Sequence, residues 1–133
     1  MKRQYSRILL LLLICCGTNS KTPSVSPSDL VTNYLQALKT NDENTALSCW
    51  TIKEAPMPPS KKNLALAALK MGLLAEKRLV MNADYKIINE KVEDEVATVT
   101  VQRAFLPQNE VTNIKVRLIV DDGLWKISQW GIR

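Results

Sequence analysis

Ala97-Thr98-Val99-Thr100-Val101-Gln102 alternates apolar and polar residues with a period of two. A strand points successive side chains to opposite faces, so this pattern describes a strand with one buried and one wetted side. The alternation recurs downstream, where Ile114, Val116, Leu118 and Val120 are set against Lys115, Arg117 and Ile119; upstream it begins at Tyr85 and Ile87. Turn residues separate the runs at Glu93-Asp94-Glu95, Pro107-Gln108-Asn109 and Asp121-Asp122-Gly123, and the last leads into Leu124-Trp125-Lys126-Ile127-Ser128-Gln129-Trp130. Four strands with short connections form an antiparallel meander with one buried face. With Ala97, Val99, Val101, Val116, Leu118, Trp125 and Ile127 facing the core, the other face carries Thr98, Thr100, Gln102, Lys115, Arg117, Lys126, Ser128 and Trp130.

Before Asp84 the period is helical. Ser26-Pro27-Ser28-Asp29 opens a first helix: Ser26 can cap it, Pro27 suits its first turn and Asp29 completes a capping box. Leu30, Val31, Tyr34, Leu35 and Leu38 follow at helical spacing. Asp42 can cap a short second helix carrying Ala46, Leu47 and Trp50, and Pro56-Met57-Pro58-Pro59 imposes a stiff loop. A third helix is expected from about Ser60 to Met81. Leu66, Leu69, Leu73 and Val80 make one stripe; Ala65, Ala68, Gly72, Ala75 and Leu79 make a small-residue stripe suited to close approach. The same pattern would suit a membrane-surface helix, but packing on the sheet accounts for it. Helices followed by strands define an α+β domain.

The N-terminus is of a different kind. Lys2, Arg3 and Arg7 precede the apolar run Ile8-Leu9-Leu10-Leu11-Leu12-Leu13-Ile14, which is shorter than the roughly 20 residues of a membrane-spanning helix. Residues 1–15 are therefore expected to be a secretory signal, 16–25 a polar Ser/Thr/Pro-rich tether and 26–133 the α+β domain. Leu13-Ile14-Cys15-Cys16 resembles a bacterial lipobox, which implies lipidation of Cys16 with Cys15 in the small position before it. Modification at Cys15 instead would put bulky Ile14 there. The resemblance implies an exported protein anchored to a membrane through its lipid, the outer membrane by default where the organism has one.

Charge and cysteine counts change once the signal is set aside. The whole chain carries +5, but without residues 1–15 fifteen Lys and Arg face thirteen Asp and Glu. This near balance gives no footing for nucleic acid. With Cys16 acylated, Cys49 has no partner for a disulfide and sits in an apolar helical stretch, as a buried inert thiol would.

The chain contains no histidine. Ser-His-Asp and Cys-His catalysis and imidazole metal sites are excluded with it, and the four glycines form no phosphate loop. No cofactor or metal motif is present, and no catalytic residue is assigned. Glu90, Glu93, Asp94 and Glu95 cluster without the ligand spacing of an EF-hand and fit a solvated hairpin tip.

The runs Ser-Pro-Ser-Asp-Leu-Val at 26–31, Tyr-Leu-Gln-Ala-Leu-Lys-Thr-Asn-Asp at 34–42, Val-Ala-Thr-Val-Thr-Val at 96–101 and Asp-Gly-Leu-Trp-Lys-Ile at 122–127 resemble a family of bacterial lipoprotein domains of unknown function. That family is of the nuclear-transport-factor-like, cystatin-like α+β group. The resemblance implies a sheet curved around a long N-terminal helix, often enclosing a pocket, for which Tyr34 and Trp125 are the candidate lining residues. Isomerase-like enzymes share this fold with many non-enzymatic binding modules. An isomerase or dehydratase would need a carboxylate base and a phenol facing one pocket; Tyr34 and Asp84 are the pair to inspect, though Tyr34 fits the core and Asp84 an exposed strand start. The expected function is a non-enzymatic binding module of the cell envelope. Its candidate binding face is Lys115, Arg117, Lys126 and Trp130, suited to a protein partner, an anionic envelope polymer or lipid head groups, whereas a small ligand would take the pocket. Mass spectrometry of the mature N-terminus should find Cys16 carrying lipid mass; a start at any other residue without lipid would refute the anchor.

Overall fold

Residues 23–55, 58–106 and 110–132 are described in the computed structural model. The expected signal, Cys15 and Cys16, most of the tether, Pro56-Met57 and the Pro107-Gln108-Asn109 turn lie outside those residues.

Helix α1 spans Pro27–Lys39. Ser26 caps it by accepting the Asp29 N–H at 3.1 Å, and Val31, Tyr34, Leu35 and Leu38 form its buried stripe. Glu90 reinforces this start from the sheet, accepting both the N–H and the hydroxyl of Ser28, at 2.9 and 2.8 Å. A carboxylate there also meets the positive end of the helix dipole. Asn41, at φ 63°, turns the chain, and Asp42 caps α2 (Glu43–Ser48) by accepting the Thr45 N–H. A 3-10 turn at Pro59–Lys61 leads into α3, Lys62–Val80.

The sheet has the order β1-β2-β3-β4, antiparallel throughout. Its strands are β1 (Ala83–Glu93), β2 (Val96–Phe105), β3 (Glu110–Asp121) and β4 (Leu124–Trp130). Ala97 pairs with Leu118, Val99 with Val116 and Val101 with Ile114, and all six are buried beneath the helices with Trp125 and Ile127. The face expected to line the core is the face that does so.

Two features depart from the sequence expectations. On β4 a bulge interrupts the alternation: Arg117 pairs with Gln129, but Leu118 pairs with Ile127, so Ser128 is the extra residue. Beyond it the faces exchange. Trp130 pairs with inward Val116 and packs on the core, so it does not stand on the outer face with Lys115, Arg117 and Lys126. The second departure is Gly72, expected to permit close helix approach. A Cβ built there would meet no atom within 4 Å. The inward line of α3 instead runs through Ala65, Leu69, Leu73 and Val80, with Leu66 turned out to 37% exposure.

A second bulge, at Ile88 on β1, turns Glu90 to the helix side, where it meets α1. The other edge of the sheet is covered: Ile127 donates to the Cys49 carbonyl at 2.7 Å, and the Thr51 N–H donates to the Ile127 carbonyl at 2.9 Å.

Truncating the centre of this core should be costly. Leu118→Ala, at a site with no solvent exposure, is expected to destabilise by about 2–5 kcal/mol in urea unfolding. Lys115→Ala on the wetted face should change stability by less than about 0.5 kcal/mol. Equal effects would show that the register is misplaced.

Candidate functional site

A groove opens between α3 and the β4 edge. Its inner part, about 380 Å³, is lined by Tyr34, Trp50, Gly72, Leu73, Glu76 and Trp130 among others. An outer hollow of about 540 Å³ shares Trp50, Leu69, Ser128 and Gln129 with it and extends to Ile52, Glu54 and Arg117. The sequence builds this space in two ways. Gly72 withholds a side chain from α3 where one would fit, and the Ser128 bulge swings Trp130 into the wall.

Tyr34 stands between two indoles, with its ring 5.9 Å from that of Trp50 and 5.3 Å from that of Trp130. The Nε1 atoms of both tryptophans are buried; that of Trp130 has no acceptor, and that of Trp50 has the Tyr34 hydroxyl nearby but out of hydrogen-bond geometry. A buried N–H left unpaired costs about 1–3 kcal/mol, so two on one wall mark a place where an acceptor would be welcome. Burial also pushes the Tyr34 phenol far above its ordinary range, so it stays neutral there as a donor.

At the inner end sits an ionic group absent from the sequence expectations. Glu76 Oε1 accepts the Tyr85 hydroxyl at 3.1 Å and lies 3.6 Å from Arg103 Nη1. Only 12% of the Glu76 side chain and 16% of the Arg103 side chain are exposed. Arg103 also lies over the Phe105 ring, 4.8 Å from its centroid. Desolvation raises the Glu76 carboxyl, and Tyr85 and Arg103 offset part of that rise; burial, followed by the nearby Glu76 charge, pushes the Tyr85 phenol up to about 12. Periodicity places all three on inward positions, though it does not bring them together. Glu76 follows Leu73 by three and precedes Val80 by four, and the inward alternation of Val99 and Val101 continues to Arg103, whose partner across the ladder is Tyr85.

The residues singled out from sequence fall in different places. Tyr34 lines the groove, whereas Trp125 is buried in the core with no part in its wall. Asp84 is exposed on β1, away from the groove lining. Arg117 forms a forked pair with Glu54, Nε to Oε1 at 3.2 Å and Nη2 to Oε2 at 3.1 Å. Lys126 donates to the carbonyl of Ser48, at the end of α2, and Lys115 is exposed. The basic face is thus partly engaged within the molecule. Cys49 is buried, donates to the Thr45 carbonyl at 3.3 Å, and has its thiol raised chiefly by desolvation.

No family model and no curated protein matches the chain. Solved structures do. A Campylobacter jejuni protein, provisionally assigned as an NTF2-like transpeptidase, superposes with a TM-score of 0.56 at 19% identity, covering 78% of this chain and 98% of its own. A SEC-C motif containing protein from Rhodopseudomonas palustris gives 0.56 at 12% identity, over 81% and 79%. The fold is nuclear-transport-factor-like. At these identities the nuclear-transport-factor-like likeness speaks for architecture alone.

The Glu76 group makes stability depend on pH. A carboxyl whose folded value is raised supports the fold fully below the ordinary carboxylate range, and that support is lost as pH rises through the raised value. The urea midpoint of the native chain should therefore fall as pH rises above the ordinary carboxylate range, relative to Glu76→Gln, which cannot ionise. Parallel curves for the two proteins would exclude a raised Glu76.

Proposed function

We propose that this chain is an exported, lipid-anchored binding protein of the cell envelope, without enzymatic activity, whose groove takes a small ligand. The anchor rests on the Leu13–Cys16 lipobox resemblance. The binding reading is carried by one observation: two buried indole N–H groups that make no hydrogen bond, in the wall of an aromatic groove. The complementary ligand has a flat apolar body, to lie against Tyr34, Leu73 and Trp130, and an uncharged oxygen acceptor for the indoles. A free anion is disfavoured by Glu76 at the inner end.

A second reading has its own support. Glu76 holds its proton more tightly than an exposed carboxylate and lines the same groove, as an isomerase-type general base would. Against it, Glu76 Oε1 is already engaged by Tyr85 and Arg103. Asp84, the base suggested by sequence, has no place in the groove lining.

Prodan, a neutral naphthyl ketone whose fluorescence reports its surroundings, tests both readings. Gly72→Leu fills the groove from α3 and should weaken prodan binding at least about tenfold, while gaining up to about 1 kcal/mol of stability from loss of a helical glycine. Trp130→Phe keeps the ring but removes a donor, and should weaken binding about fivefold. Binding unchanged in both variants would sink the groove. Deuterium uptake beside the prodan carbonyl that is lost in Glu76→Gln would decide for the enzyme.

A further inference from the structure

Helix α3 has a second, outward side that its packing does not explain. Leu64, Ala67, Met71, Leu74 and Arg78 recur at spacings of three and four and so share one face. Leu64 is 56% exposed, Met71 73% and Leu74 51%, and Ala67 and Ala75 beside them are exposed as well. Every exposed ionisable side chain of this helix is a cation: Lys62, which lies on the inward side with Ala65, and Lys70 and Arg78, which lie at or beside the outward face. Among the described residues none of the three has an ion-pair partner. The one acid of the helix, Glu76, is turned inward to Tyr85 and Arg103, and Lys77 is drawn aside to Glu43 at 3.8 Å.

We propose that this face of α3 docks on an anionic phospholipid surface, lying in the plane of the head groups. From Leu64 to Arg78 the face runs about 21 Å, at 1.5 Å per residue, long enough to seat three apolar side chains among the acyl boundary. No helix among the described residues is long and apolar enough to cross a membrane, and an apolar stripe flanked by cations is the composition of an in-plane helix. Charge decides the occupant. A second copy meeting the same face would set Lys70 and Arg78 against their counterparts, whereas anionic head groups complement both. The inference stands independently of the ligand groove. It orients the domain, which a lipid on Cys16 by itself would leave free to tumble.

The test uses the full chain with phosphatidylglycerol vesicles containing a diazirine phospholipid, photolysed, digested with trypsin and read by mass spectrometry. Adducts are expected on peptides 63–70 and 71–77 at about fivefold or more above the peptides carrying exposed Ile88 and Val92 of β1. Lys70→Glu/Arg78→Glu, read on the merged peptide 63–77, should lower the α3 adducts about tenfold with circular dichroism unchanged, as should about 1 M salt, where screening acts within about 3 Å. Met71→Ser, at an exposed site, gives a second variant that should lower them about threefold should the charge-reversed variant fail to fold. Adducts confined to residues 8–14 would show membrane contact through an uncleaved leader and overturn docking by α3. Adducts on α3 no denser than on β1, adducts indifferent to the charge reversal, or a self-associated chain or complex with an acidic protein without α3 adducts would overturn it too.

Discussion

The ladder between β2 and β3 is the constraint on which the other elements depend. Ala97–Leu118, Val99–Val116 and Val101–Ile114 face one side and leave almost no accessible surface. Such a face cannot be left wet, and α1, with Val31, Tyr34, Leu35 and Leu38, is the stripe that covers it. Once α1 lies there, its start falls within reach of Glu90, and Tyr34 is placed between Trp50 and Trp130. The groove is what the sheet and α1 leave open on the side where α3 carries Gly72.

Most of the architecture could be read from residue spacing, because strand and helix periods are properties of the chain itself. The cap at Ser26, the second cap at Asp42 and the inward set of β2, β3 and β4 up to Ile127 follow from residue type and position alone. Trp130 did not follow, since one bulged residue reverses the parity of everything after it. Whether a strand bulges depends on its pairing partner, and that information lies on β3. Gly72 escaped for a related reason. A glycine in a small-residue stripe looks the same whether a neighbour approaches it or a hollow lies beside it.

The candidate site was legible only in part. Tyr34 could be singled out because it lies on the apolar side of α1. Glu76 and Arg103 occupy inward positions of their own periodic elements, yet charged residues at such positions read as solvated until two of them are seen to meet. Burying both is costly unless they are paired and further hydrogen bonded, and Tyr85 supplies one such bond. The polar groups of the groove are therefore a mixture, with the carboxylate engaged and the indoles not.

The covering of β4 by Cys49–Thr51 has a consequence for behaviour in a crowd. An open sheet normally offers two rows of unpaired backbone groups for accidental strand addition and aggregation. Here Ile127 has already given its backbone N–H and carbonyl to Cys49 and Thr51, so that side is partly spoken for. The remaining edge, β1, carries Lys86, Glu90, Lys91 and Glu93 together with the kink at Ile88. Charges and a bulge are what discourage another strand from joining, so many copies could share a small area without zipping into a continuous sheet.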